Sequence, residues 1–397
     1  MTTKSLVRPT GAILAATALT LALSACVANG AVGSAPSISV ESTTDDCVVS
    51  EAVAPSGTVA FDVTNSTDQA TEFYILADDG LRIVGEVENI APGAPRTLTL
   101  SLRPGEYFTV CKPGMVGDGI GKTAFTVVDS GDEAAATGTG TGTGEEFAQA
   151  AASNYVAYVK DQAAQLVPAT RSFLDQYLAG DDEGARASYA ISRAPWERIE
   201  TVAESFGVLD PLIDYREADV PEGEEWTGWH RIEKDLWPPA DAGYVALTLE
   251  QRQYYADLLT ANTQTLYDEV HDSDYSVTID SISNGAIGLM DEVASKKITG
   301  EEEIWSHTDL WDFQANLEGA RVAYEGVRDI VIVNDPELVA DLDGQFDALQ
   351  AELTPHGSLE AGFVYYNQLA PDDIRALSDA VNSLAEPLSR LTSAVVS

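Results

Sequence analysis

The sequence predicts a chain of two folded parts, an all-β sandwich followed by an all-α helix bundle. Three observations carry this. Between residues 37 and 129 seven short β-rich runs alternate with turn signals. From Ser130 to Glu146 the composition turns to Ala, Gly and Thr, with a TGTGTGTG run at Thr137–Gly144, which reads as a flexible linker. Beyond it the apolar period is helical almost throughout.

In chain order, the first stretch is an address. Lys4 and Arg8 precede an apolar run from Gly11 to Leu23, too short to span a bilayer comfortably, and the run ends in Leu23-Ser24-Ala25-Cys26. This resembles a bacterial lipobox. It implies a signal peptide over 1–25, lipidation of Cys26, and a small polar tether over 26–36. The protein is then expected on the outer face of a bacterial cell membrane, in the periplasm or cell envelope. With 64 acidic against 22 basic side chains and a formal net charge of −42, it cannot neutralise a run of phosphates, so nucleic acid is excluded as a partner. Such acidity attracts cations, although solubility alone would also account for it.

In the first domain, the runs VVSEAV, TVAFDVTN, EFYILAD, LRIVGEVENI, RTLTLSL, EYFTVC and KTAFTVVD are separated by Pro55-Ser56-Gly57, Asp79-Gly80, Pro92-Gly93 and Pro104-Gly105. Cys47 and Cys111 are its cysteines. In an oxidising compartment they can form a disulfide or serve as thiolate ligands, and the residues leave both readings open. The first histidine in the chain is His230, so a blue-copper site of two His and one Cys is excluded here.

The helical part, 147–397, opens with an apolar face traced by Phe147, Tyr155, Tyr158, Leu166, Phe173, Leu174 and Tyr177, with a break or kink expected near Pro168. Further helices are predicted at about 182–206, 227–236, 248–271, 278–296, 309–332, 335–353 and 371–394. In the third of these, His230 and Glu233 are three apart and share a face, a half-site for a transition metal. A solvent-facing ion pair has the same spacing. Glu197, Glu200 and Glu204 form a stripe on the preceding helix, either a solvated face or partners for His230 and Glu233 across a bundle. His307, Asp309 and Asp312 form another candidate set, in which Asp309 could equally be a helix cap. Asp291 and Glu292 are weaker candidates.

Taken whole, GWHRIEKDLW (Gly228–Trp237) resembles the Gly-x-His-x-x-Glu signature of the imelysin family, in the form found in the extracytoplasmic component of bacterial elemental-iron uptake systems. RAPWERIETVAESFG (Arg193–Gly207) and ITGEEEIWSHTDLWDFQANLEGA (Ile298–Ala320) are similar to that family's text as well. The strand ending in Cys111 is similar to the one that carries a ligating Cys in cupredoxins. The resemblance implies a cupredoxin-like domain over 37–129, a linker over 130–146, and an imelysin-type bundle of two four-helix units over 147–397. It implies metal at His230 and Glu233, completed by Glu197, Glu200 or Asp309, with affinity falling as pH drops through about 6.5, the ordinary His value. It implies a second station at Cys47, Glu72 and Cys111, for copper or iron, with Met115 or Asp118 as further ligands. The implied function is capture of iron, Fe2+ or Fe3+, and delivery to a membrane iron permease, with a haem-dependent peroxidase as a further partner. Two alternatives are an imelysin-type metallopeptidase and a non-catalytic structural or adhesion module. The first lacks the second His that an HExxH helix needs.

Overall fold

A computed structural model describes residues 37–131, 144–240 and 243–396. The expected signal peptide, Cys26 and the expected tether lie outside the described residues, as does most of the expected linker. Among the described residues no helix is long and apolar enough to cross a membrane.

The sandwich has two sheets. One orders its strands β2 (Cys47–Val49), β1 (Ser37–Ser42), β4 (Gly57–Asn65), β7 (Pro95–Leu102). The other orders them β3 (Val53–Pro55), β9 (Ile120–Val128), β8 (Gly105–Cys111), β5 (Thr71–Leu76), β6 (Ile83–Ile90). The run VVSEAV is therefore two strands: β2 pairs with β1, and β3 crosses to the other sheet beside β9. Alternation along β1 buries Ile38, Val40 and Ser42, and along β4 buries Val59, Phe61 and Val63. Phe61 sits 5.6 Å from Phe73 and 5.4 Å from Phe125, ring to ring, at the centre of the core. Strand β5 is buried on both faces because the helical part covers its outer side. Tyr74, Leu76, Ile83 and Val110 meet Ala157 there.

The helices are α1 (Gly144–Ala179), α2 (Asp182–Ile199), α3 (Leu209–Asp214), α4 (Trp229–Leu236), α5 (Leu249–Val270), α6 (Ile279–Ser295), α7 (Asp309–Asn334), α8 (Pro336–Leu353), α9 (Pro371–Leu388) and α10 (Leu391–Val396). A tight helical turn, Glu200–Phe206, continues α2. Starts follow their caps: Thr248 with Gln251, and Thr278 with Ser281, form reciprocal boxes at α5 and α6. Helix α1 runs through Pro168 without ending. Helices α6, α7, α8 and α9 make one four-helix ring, while α1, α2 and α5 pack together and reach α7. One continuous apolar cluster spans both groups, and α7 packs against each of them. Sandwich and bundle are joined by Lys112 on Asp161, Arg103 on Asp329 (2.7 Å, bidentate) and Lys160 on Glu88 (3.3 Å).

Candidate metal centre

Helix α4 carries the centre, and Gly228 fixes where it starts. Its φ is +85°, and a Cβ there would stand 2.1 Å from the Ile213 carbonyl oxygen, so only glycine lets α4 lie against the end of α3. That packing brings Asp214 to His230. The loop before α7 brings Glu302 and Glu303, and α2 brings Arg193 and Glu197.

His230 is fully buried between two pairs of carboxylates. Its Nδ1 lies 3.2 Å from Glu233 and 3.8 Å from Glu303; its Nε2 lies 3.6 Å from Asp214 and 3.8 Å from Glu302. Either set offers three ligand atoms close enough to share one ion. Arg193 threads between them, with Nη1 3.4 Å from His230 Nε2 and 2.8 Å from Asp214, Nε 3.2 Å from Glu303, and an ion pair to Glu197. Because that guanidinium can only donate, Nε2 is the accepting nitrogen and Nδ1–H donates to Glu233. The other oxygen of Glu233 accepts from the backbone N–H groups of Trp305 (3.0 Å) and Ser306 (2.7 Å).

A second layer surrounds Lys297. Its Nζ lies 2.7 Å from Glu200, 3.2 Å from Glu197 and 3.5 Å from Glu302. The resemblance placed Glu197 and Glu200 on the metal with His230; the structure places them on Lys297, because the turn after Ile199 rotates Glu200 towards α6 and α7. Asp309 stands behind Glu303 and accepts its N–H at 3.2 Å, one shell removed from the imidazole. Asp312 is buried with neither oxygen hydrogen-bonded, 3.8 Å from Arg193, and Asp309 Oδ2 is also unpartnered. His307 has a left-handed backbone and lies outside the cluster, although its N–H donates to the Glu303 carbonyl.

Eight carboxylates thus converge (Glu197, Glu200, Asp214, Glu233, Glu302, Glu303, Asp309 and Asp312) against Arg193, Lys297 and Arg216, whose Nη1 is 3.4 Å from Glu302. Such an excess cannot be fully ionised in a dry core. Burial pushes Asp214, Glu200, Glu233 and Asp312 well above the carboxylate range, and pushes Asp309 up to about 7. Glu197 alone is held down, at about 2, where Lys297 and Arg193 outweigh its burial. Burial, reinforced by Arg193, Lys297 and Arg216, keeps His230 neutral to well below pH 6.5. The expected loss of affinity through pH 6.5 therefore has no imidazole to drive it. The protons a metal would displace sit on the carboxylates.

Asp214, Glu302, Glu303, Arg193 and Lys297 were not predicted as partners of His230. Glu302 and Glu303 stood in the run Glu301-Glu302-Glu303, but in a loop where no period marks a face.

In the sandwich, the structure joins Cys47 and Cys111 in a disulfide, so the two thiolates that the resemblance implies are not presented. Glu72 does not complete that set either. Phe73 pairs with Cys111 in register and shares its core, whereas Glu72 accepts from Tyr74 OH at 2.5 Å on the side facing α1. The Cys47–Glu72–Cys111 donor set therefore does not fit a copper or iron ion. Met115 and Asp118 lie in the partly exposed loop after β8.

The imelysin family model matches residues 151–391, and a cupredoxin-like domain model matches residues 12–122. The chain belongs to the imelysin family. Relatives named iron uptake system component EfeO, from Escherichia coli K12, Escherichia coli O157:H7 and Shigella flexneri, are each 35% identical over 371 residues, 93% of this chain and 93% of theirs. As an imelysin with a cupredoxin-like domain, the chain shares the two-part architecture that its strands and helices display. The crystal structure of a protein described as an iron-regulated protein A precursor, from Parabacteroides distasonis, superposes with a TM-score of 0.50 at 18% identity. It covers 64% of this chain and 96% of its own, a likeness of fold.

Proposed function

We propose that this protein is an extracytoplasmic iron-binding component of an iron uptake system, tethered to the membrane through lipidated Cys26, which captures iron and passes it to a membrane permease. The observation that carries the reading is the buried excess of carboxylates around one neutral imidazole. Those oxygens are costly in a metal-free core and become ligands when a cation arrives. Oxygen donors with one nitrogen suit Fe(II) or Fe(III) over softer ions. His230, Glu233 and Glu303, or His230, Asp214 and Glu302, are the first ligands, and Arg193 must withdraw from one set for metal to enter. The extreme acidity concentrates cations near the protein, and the relatives' name supports iron as the cargo. The permease and the haem-dependent peroxidase follow as partners from that same kinship.

A peptidase reading is disfavoured by the burial of the site: His230 and Glu233 are 0% exposed, and no peptide bond can reach them. Calorimetric titration of the mature chain with Fe(II) under anaerobic conditions, then with Fe(III), Cu(II) and Zn(II), tests the proposal. One tight iron equivalent is expected; a chain that binds only copper tightly, or cleaves a peptide library once metal is added, contradicts it. Fractionation tests the tether, since Cys26→Ala should release the protein from the membrane.

A further inference from the structure

His230 is sealed in the core, so any cation must reach it through a neighbouring space. A cavity of about 460 Å³ lies between the Glu200–Phe206 turn and α6. Glu204, Asp210, Asp280 and Glu292 supply its charge, Glu200 stands at its inner end, and no Lys or Arg is among its lining residues. At its inner end Glu200 is 2.7 Å from Lys297, Lys297 is 3.5 Å from Glu302, and Glu302 is 3.8 Å from His230 Nε2. The Glu200 side chain is 14% exposed, whereas Lys297, Glu302 and His230 behind it are buried. The Lys297 ammonium stands between Glu200 and Glu302.

Three other cavities among the described residues lack this combination. The cleft between sandwich and bundle, about 470 Å³, carries Arg82, Arg103 and Arg328. The hollow beside Trp237 and Trp305, about 500 Å³, presents Arg186 and no carboxylate. An acidic hollow at Asp268 and Asp272 includes no residue of the cluster.

We propose that the cavity between the Glu200–Phe206 turn and α6 is the inlet through which a hydrated divalent metal cation reaches the buried cluster, with Glu200 as the carboxylate that passes it inward and Lys297 as the internal cation it displaces. The proposal rests on the reading of the His230 cluster as a metal site. An acidic concavity with low-dielectric walls focuses field on an approaching cation and raises its rate of capture. The ion then competes with Lys297 for Glu197, Glu200 and Glu302, and Glu302 already touches the imidazole. No bond order or oxidation state changes in the passage.

Gly288 provides the test. It lines the cavity, and a Cβ added there meets nothing within 4 Å, so a large side chain can enter the space. Stopped-flow association and dissociation of Co(II) would be followed in the full mature chain for wild type, Gly288→Trp and the double variant Asp280→Asn/Glu292→Gln. Plugging is expected to slow association and dissociation together, on the order of tenfold, with equilibrium affinity unchanged. The charge variant, which keeps the test available should the plug unfold the bundle, is expected to slow association and weaken its dependence on ionic strength. Wild-type rates in a folded Gly288→Trp, or in the charge variant, overturn the inlet. Failure of the wild-type chain to take up any tight Co(II) removes instead the metal-site reading on which the inlet rests, so the two failures are distinguishable.

Discussion

Around Cys111 the sandwich is packed with phenylalanine and closed by a covalent bond; around His230 the bundle is packed with carboxylates that outnumber their cations. The first core is complete without a ligand. The second holds Asp312 with no hydrogen-bond partner and Asp309 with one oxygen bare, polar groups whose burial is a standing cost. A few residues along the same helix α4, Asp235 is also buried but accepts from Tyr177 (2.9 Å), Tyr244 (3.0 Å) and the Leu247 N–H (2.8 Å), and pairs with Arg252 (2.8 Å). That carboxylate is structural. The contrast teaches that buried acid alone does not mark a metal centre.

The comparison breaks most visibly if the disulfide is dispensable. It links residues 64 apart in sequence, and a loop of that length is stabilised by about 4 kcal/mol on the chain-entropy account. Reduction, or Cys47→Ser with Cys111→Ser, is expected to lower the sandwich's resistance to urea by that order while tight iron binding persists. Loss of the tight iron equivalent in the double variant would put the metal in the sandwich instead.

Metal should act on the other core. Saturating iron, at a hundredfold its Kd, is expected to stabilise the bundle by about 2.7 kcal/mol, read from thermal melts. The effect should depend on pH with a definite sign. Burial raises Glu200, Asp214, Glu233, Glu302, Asp309 and Asp312, so the metal-free folded chain holds more protons than the unfolded one above about pH 4. Their contribution is fully present at acid pH and is lost as pH rises through the raised values, about 7 for Asp309. His230, lowered by burial, works in the opposite direction below pH 6.5, but it is one group against six. Glu197, at about 2, acts only below the unfolded carboxylate range. The metal-free bundle should therefore weaken from pH 5 to 8, and the gain on adding iron should grow over the same interval. A metal-free bundle that strengthens from pH 5 to 8 would contradict the charge excess.

The smallest effect expected is at Asp312. Asp312→Asn removes a buried carboxyl that must hold a proton in the metal-free fold, at nearly constant shape, and should stabilise the metal-free chain at neutral pH by on the order of 1 kcal/mol in urea melts. Destabilisation would mean that Arg193 needs Asp312 as its counter-ion.

Much of this architecture can be read from residue order. Seven β-rich runs and the helical period locate nearly every element, and most helix ends fall within two residues of their caps. The misses have physical causes. Helix α3 is a single turn and a half, too short for a period, and it carries Asp214. VVSEAV divides between two sheets at Ser50-Glu51, which no local pattern announces. His230 and Glu233 were visible because helical spacing aligns them. Arg193 and Lys297 were not sought, since cations are poor candidates for a cation site. Glu72 was implied by the resemblance alone, and EFYIL, buried on both faces, carries no alternation that shows which side meets Cys111.

The most direct measurement is an X-ray absorption spectrum of the chain loaded with one equivalent of iron. A first shell of oxygen with one nitrogen, the outer-shell signature of a single imidazole, and no sulfur is expected, with the imidazole signature lost in His230→Ala. Sulfur in the first shell, or an unchanged spectrum in His230→Ala, would contradict the assignment of the metal to the helix bundle.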